Sequence, residues 1–580
     1  MRLSSSAAFW ALLASTAPHG FEAKGLRRKL VATSECTIMA VEALPTNEEG
    51  PHQEMGLECE LDPADADGIS GITAPLQLSP KQRADLSSMI YAGRIDPGED
   101  MLDIEGDEIT EDYGIKIDPV VSVAAKTAKG APSAKARKQR RLVDTTGDLR
   151  MLLVKVTDSA GKTHPDNVTT MSNEVFGTGN DPVNLKSGLE ECSWNKLTVV
   201  PELVLQGDAT SDMEEAPGVI QVSIGIPLDG SSKGAIRNAV TAAVTNKLGH
   251  SLPGPYDYVL YSLENCYGND CGWAAYAYIN SWNSVYQNNY YKRPGVLMHE
   301  LGHNFGLAHS GGLNGATYTD HTCTMGNPHY GDDTFQCFNP AKNFQLDWYD
   351  DAKIIEDPRI GGYSNTLTLV GVGEYDNREG NPVTVKLETG TPADYFVGFN
   401  RATGPNRMND EGDDKVSIIE VAQGNGVSYG QSYLKALLSQ GEFYEITDFG
   451  NTGKTVTVTV NSIDITTSPG TAVVFITDGQ DPPPPTPPPT SPPPCPSGQK
   501  RYQVTVTTDN YPGETSYALK NTCTGTEILT GCACGTPNNS FPSNEVCAEA
   551  GVMEFVIDVS YFLFLRVFIC PFQSNQLLTL

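Results

Sequence analysis

The stretch "MHELGHNFGLAHSGG", residues 298–312, contains three of the chain's nine histidines and a glutamate directly after the first of them. His299 and His303 would lie one turn apart on a helix and face the same side, so both imidazoles could reach one Zn²⁺. Glu300 would lie beside the first ligand, where its carboxylate could reach a water on the metal. This pattern indicates a metal site with a general base.

Gly306 permits a sharp turn with positive φ, which would bring His309 back as a third ligand. Three protein ligands leave a fourth position for water, the arrangement of a catalytic zinc. Zinc would acidify this water, Glu300 would take its proton, and the hydroxide would attack a carbonyl that the metal polarises. We therefore predict Glu300 as the catalytic residue and His299, His303 and His309 as metal ligands.

A helix must position these groups. Pro294 can open it and Gly306 can close it. Leu297, Leu301 and Phe305 then fall on the side opposite the histidines. The sequence predicts a helix with an apolar back in the core and a histidine front.

The histidine motif, H-E-x-x-H-x-x-G-x-x-H, resembles the zinc motif of the metzincin endopeptidases, which also have a turn with a methionine beneath the metal. "YTDHTCTMGNP" supplies Met325 for that turn. Both motifs, with "CFNPAKNFQLDWY" after them, look most like the gametolysin family of algal and protist metalloproteases. The resemblance covers residues 149–352 and implies a two-lobed catalytic domain that cleaves extracellular matrix proteins. We expect His321 and His329 to lie outside the ligand set.

The bulk composition limits the class of protein. A length of 580 residues predicts several domains, and 39% hydrophobic residues suffice for globular packing. A net charge of −31 argues against nucleic acid or an anionic membrane surface as partner. Arg2 followed by a short apolar run is typical of a secretory signal peptide. We expect a protein secreted to the extracellular space or cell wall, with most of its thirteen cysteines in disulfides and sequons at Asn167 and Asn538 that allow glycosylation.

Changes in composition and periodicity divide the chain into segments. The predicted fold class is multidomain: an α/β (α+β) two-lobed metzincin catalytic domain, then a β-sandwich-like domain and a small cysteine-containing β module. The last module ends in an apolar stretch that is either a further strand or an error in the gene model. The segments are a signal peptide (1–24), a propeptide (25–141), the catalytic domain (142–352), the β-sandwich-like domain (353–478), a Pro-rich linker (479–497) and the β module (498–580).

The end of the predicted propeptide is basic. Arg140 and Arg141 close a cluster in a polar segment, where a processing protease would cut; an uncut linker is the alternative. A propeptide thiolate could fill the fourth position on zinc and keep the enzyme latent. Cys36 and Cys59 are the candidates for this switch thiol, and they could equally be bonded to each other.

The other cysteines suggest local bridges. Cys266 and Cys271 form a close pair that could close a small loop. Cys323 and Cys337 flank the methionine turn and could be bridged to each other. Cys192 has no obvious partner.

The function predicted from these features is that of a secreted zinc-dependent endopeptidase, made as a zymogen, that hydrolyses matrix or cell-wall proteins. The alternative is a non-catalytic zinc-containing adhesion protein that binds wall polysaccharide or glycoprotein through its C-terminal modules. Glu300 favours the enzyme, because a non-catalytic relative would be free to lose the base. A small-molecule zinc hydrolase is disfavoured by the methionine turn and the long flanking domains. One Zn²⁺ is predicted, and a need for Ca²⁺ is left open.

Overall fold

The structure is a computed structural model of the 580-residue chain. The signal peptide, Arg140, Arg141 and most of the Pro-rich linker lie outside the residues it describes, so they stay predictions. The chain divides into two compact units, Met1–Pro483 and Pro484–Leu580. The described residues are 34–46, 55–60, 69–91, 94–104, 106–109, 115–117, 125–126, 145–201, 216–268, 271–479, 495–496, 499–502, 505–507, 515–532, 540–542, 546–549, 553–559 and 565–569.

The first unit combines helices with many strands, as the mixed α and β prediction requires. Its described helices are α1 (Pro80–Tyr91), α2 (Val168–Phe176), α3 (Leu185–Ser193), α4 (Lys233–Leu248), α5 (Pro294–Asn304) and α6 (Pro340–Leu346). Its described strands are β1 (Ser34–Pro45), β2 (Gly56–Glu60), β3 (Thr73–Gln77), β4 (Met101–Ile104), β5 (Gly106–Ile109), β6 (Ile115–Ile117), β7 (Ala125–Lys126), β8 (Gly147–Thr157), β9 (Leu197–Val200), β10 (Val219–Ser223), β11 (Tyr258–Leu263), β12 (Trp273–Tyr278), β13 (Asn283–Gln287), β14 (Ser310–Gly311), β15 (Lys353–Glu356), β16 (Ser364–Val370), β17 (Thr384–Leu387), β18 (Asp394–Asn400), β19 (Lys415–Val421), β20 (Ser432–Leu438), β21 (Phe443–Ile446), β22 (Val456–Asp464) and β23 (Thr471–Thr477).

A thirteen-stranded sheet of mixed direction is the main layer of this unit. Strands β10, β8, β11 and β13 are parallel neighbours, and β12 joins β13 in the antiparallel sense. Strand β8 contains the apolar run "LRMLLVKVT", and apolar clusters lie on both faces of the sheet here, as is typical of a parallel sheet.

The sheet continues from β12 into the segment predicted as the propeptide. Strand β1 pairs antiparallel with β12, so that Glu42 lies opposite Ala277. On its other side β1 pairs with β2, and β2 pairs with β3. The predicted propeptide and catalytic segments therefore share one hydrogen-bonded sheet.

Helices cover both faces of the sheet. Leu297, Leu301 and Phe305 of the histidine helix segment are buried in a cluster on one face, which confirms the predicted apolar back of α5. On the other face lies α4, which has a serine at its start and a glycine at its end. The side chain of Ser232 accepts a hydrogen bond from the backbone N–H of Ala235. Gly249, directly after the helix, adopts a left-handed conformation.

Residues 353–477 form strands in two sheets, in accord with their alternating pattern. The sheets have the strand orders β14-β20-β19-β18-β17-β15 and β16-β23-β22-β21. Val397 and Ile418 from the first sheet share one apolar cluster with Val458 and Val474 from the second. Strand β14 comes directly after the histidine motif, so this sheet includes residues from both sides of the boundary predicted at residue 352.

The second unit consists, in its described part, of short antiparallel strands. A disulfide joins Cys495 to Cys547. The apolar stretch after residue 553 contributes β30 and β31 to a four-stranded sheet of order β27-β26-β30-β31, as the strand alternative predicts. The strands are β24 (Gln499–Tyr502), β25 (Thr505–Thr507), β26 (Thr515–Asn521), β27 (Thr526–Cys532), β28 (Ser540–Pro542), β29 (Val546–Glu549), β30 (Met553–Val559) and β31 (Leu565–Ile569). Within the described residues, no helix has the length and apolar character needed to cross a membrane.

The disulfides of the first unit differ in part from expectation. Cys266 and Cys271 are bonded as predicted. The suggested bridge between Cys323 and Cys337 does not form, because Cys337 is bonded to Cys192, which lies at the end of α3. Cys323 is a free, buried thiol, and burial raises its pKa to about 12. The Cys192–Cys337 bridge therefore links helix α3 covalently to the segment that follows the methionine turn.

Disulfide mapping tests this connectivity. Digestion under non-reducing conditions should give a linked pair of peptides that contain Cys192 and Cys337. Cys323 should react with an alkylating reagent only after unfolding, because its thiol is buried and protonated. A linked pair that contains Cys323 and Cys337 would contradict the structure.

Candidate metal centre

Helix α5 and the turn after it bring the three motif histidines together. Pro294 is the first residue of the helix, and Gly306 has a φ of 82°. Its backbone N–H donates to the carbonyl of His303 at 2.8 Å, which closes a tight turn. As a result, ligand atoms of His299, His303 and His309 all lie within 4.8 Å of one another, and all three residues are buried.

Backbone carbonyls fix the orientation of the two helical imidazoles. Nδ1 of His299 lies 2.7 Å from the carbonyl oxygen of Thr324, and Nδ1 of His303 lies 2.9 Å from that of Leu307. A carbonyl oxygen only accepts, so each Nδ1 carries the proton and each Nε2 keeps a lone pair for a metal. Burial, followed by the neighbouring His299, lowers the pKa of His303 well below its usual value, which keeps that ring neutral.

The third histidine is placed by the neighbouring sheet. The backbone N–H of Ser432, on β20, donates to the carbonyl of His309 at 3.2 Å. Strand β14 follows immediately and pairs with β20. The ring of Tyr318 lies against the imidazole of His309, with a centroid distance of 3.8 Å. The position of this ligand thus depends on residues more than a hundred positions further along the chain.

Met325 lies directly against α5. The residue is fully buried, and its backbone carbonyl accepts a hydrogen bond from Ser310 at 2.8 Å. A Cβ atom added at Gly302, between the two helical histidines, would overlap Sδ of Met325. Gly302 is therefore required by packing, since only a residue without a side chain lets the methionine approach the histidine helix this closely.

A buried aspartate organises the loop between the third histidine and Met325. Oδ2 of Asp320 accepts hydrogen bonds from Ser310 at 2.6 Å and from Asn339 at 3.1 Å, and its Oδ1 accepts from Thr322. Sequence reasoning missed this role. The signal was present in "YTDHTCTMG", where an acidic residue stands among residues that surround the methionine turn.

Glu300 is buried, and within the described part of the chain neither of its carboxylate oxygens has a hydrogen-bond partner. Burial raises its pKa well above the usual value, and the nearby charge of Glu42 adds to this effect. A carboxylate held in this way binds protons more strongly than an exposed one, which suits a general base.

Glu42, on β1, also points into this centre, and sequence reasoning missed it. Its Oε2 lies 3.1 Å from Nδ1 of His309 and 3.5 Å from Nδ1 of His303. Burial raises its pKa to about 7, against the opposing effect of the hydroxyls of Tyr429 and Tyr91. The available signal was an acidic residue within the mostly apolar segment "TIMAVEALP" of β1.

The charges in this centre favour a bound cation. Two buried carboxylates, from Glu42 and Glu300, lie near three imidazoles, and Lys342 is the basic side chain whose charge acts on Glu42. Buried carboxylate oxygens without hydrogen bonds are costly unless a cation or a proton compensates them. A divalent metal held by the three histidines would supply that charge, so the residues fit a metal ion.

Three buried histidines beside a glutamate that has no hydrogen bond among the described residues are typical of metal-dependent hydrolases. Residues 155–383 match the family model described as Gametolysin peptidase M11, and this part of the chain is a gametolysin-like metallopeptidase domain. The match confirms the resemblance and covers less than half of the chain. Searches among curated proteins and among solved structures found no match.

The remaining candidate residues lie elsewhere. Cys59 is disulfide-bonded, so it offers no thiolate to a metal, and a switch role for it is excluded in this structure. Cys36 lies on β1, with its side chain outside the described atoms. His321 is one-third exposed beside Asp410, and Nε2 of His329 is 2.7 Å from the carbonyl of Met408, so neither joins the cluster.

A substitution at Gly302 tests the packing of the methionine. Helix propensity alone predicts that alanine stabilises an α-helix by about 0.5–1 kcal/mol relative to glycine. At Gly302 the overlap of the added Cβ with Met325 should outweigh this gain, so the substitution should lower the free energy of unfolding by about 1–3 kcal/mol. It should also weaken zinc binding, because the helix that holds two ligands must shift. Denaturant unfolding and competitive zinc titration measure both effects.

The matched control is Gly234→Ala in α4. There the nearest atom to an added Cβ is 3.7 Å away, an ordinary contact. This variant should be as stable as wild type or more so, and it should bind zinc normally. Equal behaviour of the two variants would show that Met325 does not constrain the histidine helix.

Proposed function

We propose that the chain is a secreted zinc-dependent endopeptidase, made as a zymogen, that cleaves proteins of an extracellular matrix or cell wall. The observation that carries the proposal is the buried cluster of His299, His303 and His309 next to Glu300. The family match over residues 155–383 supports peptide hydrolysis as its chemistry. Three histidine ligands are typical of catalytic zinc, so we propose Zn²⁺ as the metal.

The three histidines would hold the metal, and zinc in that position would acidify a water and polarise the carbonyl of the peptide bond. Glu300 would accept a proton from the attacking water and donate it to the leaving amine. Its raised proton affinity suits both transfers. The buried helix would exclude bulk water from these groups and keep the carboxylate in one position.

Strand β12 is the proposed binding edge for the substrate. It lies between β13 and β1 in the sheet. If removal of the propeptide releases β1, the backbone groups of β12 that pair with it become free. An extended peptide could then add to this edge as a strand, close to the histidines.

Other parts of the proposal concern organisation and location. The catalytic domain would have the two lobes of a metzincin, and residues 353–478 would form a β-sandwich. The C-terminal modules would bind wall polysaccharide or glycoprotein. A signal peptide at residues 1–24 would direct secretion, which agrees with the disulfides described above.

Glu300→Gln tests the proposed base. The amide has nearly the same shape but cannot take a proton, so proteolysis of a protein substrate by the processed chain should fall roughly 10²–10⁴-fold. Zinc content should stay at the wild-type level, because Glu300 is not a ligand. His303→Ala should lose the zinc as well as the activity.

Glu445→Gln is the matched control, since Glu445 is an exposed residue on β21. It should cleave at the wild-type rate. Cleavage at that rate by Glu300→Gln would exclude Glu300 as the base. Zinc binding without cleavage in every form, wild type included, would favour the adhesion protein over the enzyme.

Processing is tested by changing Arg140 and Arg141 to alanine. The dibasic cluster should be the recognition site of the processing protease, so the variant should be secreted uncut and remain latent. Intact mass and N-terminal sequencing of secreted material give the result. A wild-type secreted chain that still contains residues 34–46 and is fully active would contradict the zymogen proposal.

A further inference from the structure

We propose that helix α4 carries a peptide-binding site, separate from the metal centre, whose ligand is the extended segment 71–73 of the predicted propeptide. Through this site the propeptide stays bound as a separate chain after a cut at Arg141, and it leaves when the cut protein is diluted. The inference rests on the proposed function in one respect, namely that this cut starts activation. It adds dissociation of the propeptide as a second step before the edge of β12 opens.

The side chain of Asn238, on α4, pairs with the backbone of Thr73 in both directions. Its Oδ1 accepts a hydrogen bond from the backbone N–H of Thr73 at 3.1 Å, and its Nδ2 donates to the carbonyl of Thr73 at 2.7 Å. An asparagine amide that uses both of its ends on one residue makes the same pair of bonds as a neighbouring strand. Asn238 therefore recognises an extended backbone, whatever side chain that backbone carries.

The preceding residue, Arg237, is the second polar group of the site. Its side chain is 1% exposed, and Nη1 donates to the carbonyl of Gly71. Its Nε donates to Oδ1 of Asn283 at 3.1 Å, and its guanidinium lies 4.6 Å and 5.1 Å from the ring centroids of Tyr278 and Trp282. These three partners belong to the predicted catalytic domain. They hold the guanidinium in position to donate to a peptide carbonyl.

The bound segment matches the shape of the site at Gly71. This residue has a φ of 76°, and a Cβ atom added to it would lie 2.9 Å from Cζ2 of Trp282. A residue with a side chain would therefore fit only after a shift. Beside this point, the hydroxyl of Tyr278 donates to Oε2 of Glu58, on β2, at 2.8 Å. The ligand class is thus an extended segment with a glycine, next to a carboxylate.

This site lies on the face of the main sheet opposite the histidine helix. Tyr278 shares an apolar cluster with Val240 of α4, whereas Leu301 of α5 belongs to the cluster on the other face. Substitutions at Asn238 or Gly71 can therefore change the binding of the propeptide without altering a residue of the metal centre.

A cut after Arg141 breaks none of these contacts, because all of them lie well before it in the sequence. Pairing of β1 with β12 and burial of Met39 and Val41 on the α4 side add to them. The propeptide also has apolar contacts of its own, with Leu76 and Ile90 buried in one cluster. The cut removes only the covalent connection, which turns a tethered segment into a ligand whose binding depends on concentration.

The test uses the full chain with the recognition sequence of a site-specific protease inserted after Arg141. The chain also carries Glu300→Gln, so that the result does not depend on its own proteolysis. Mass spectrometry confirms that cutting is complete, and size-exclusion chromatography over a dilution series gives the concentration at which the two pieces separate. We expect the pieces to elute together when concentrated and to separate on dilution.

Two variants test the site from its two sides. Asn238→Ala removes both hydrogen bonds to Thr73 and introduces a good helix former, so the helix should be retained. Gly71→Ala places a Cβ atom against Trp282 and leaves the catalytic segment unchanged. Each variant should raise the concentration at which the pieces separate by about tenfold or more.

The matched controls are Asn246→Ala and Gly161→Ala. Asn246 is an exposed asparagine on α4. Gly161 has a φ of 82°, but an added Cβ atom there meets nothing within 4 Å. Both controls should separate at the same concentration as the cut chain without further substitution.

The outcomes distinguish this proposal from the proposed function. Separation of the two pieces at every concentration, without further substitution, would overturn the proposal. Equal separation by all four variants would overturn the site on α4. Weaker association in Asn238→Ala and Gly71→Ala alone would support the site, even if the processed wild type cleaved no protein, a result that would contradict only the endopeptidase.

Discussion

The concentration of charge and lone pairs at one buried point is the constraint on which the rest of the structure depends. Three imidazoles and two carboxylates lie close together inside a unit whose surroundings are largely apolar. Removing such groups from water is unfavourable unless a cation binds them or the carboxylates are protonated. A divalent metal satisfies all of them at once. The fold therefore has to bring Glu42, on strand β1, up to the histidines of residues 299–309, which are distant from it in sequence.

Each side chain is positioned by a different kind of local structure. The four-residue spacing on helix α5 places His299 and His303 on the same side of the helix. The contact between Gly302 and Met325 determines how closely this helix approaches the methionine turn. The third ligand depends on β20, which belongs to the segment that the sequence assigned to a separate domain. Consequently, the predicted boundary near residue 352 does not separate two independent hydrogen-bonded units. The strands after it form part of the support for the metal centre.

Local patterns predicted the site well, because its main elements are close in sequence. The helix, its proline start, the glycine turn and the apolar back follow from 3.6-residue periodicity and from the conformational preferences of single residues. The failures involve long-range pairing. The Cys192–Cys337 bridge spans 145 residues, and the contact of Glu42 with the histidines depends on how β1 pairs with β12. Sequence periodicity does not predict such pairings, although Glu42 stands out as an acidic residue in a mostly apolar segment of β1.

The most direct test of the central claim is cleavage of a generic protein substrate by the chain cut after Arg141, assayed with and without a zinc chelator and with its metal content measured. The account predicts about one zinc per chain, cleavage that stops when the chelator removes it, and recovery when zinc is restored. Cleavage that continues at full rate in metal-free protein would contradict the account.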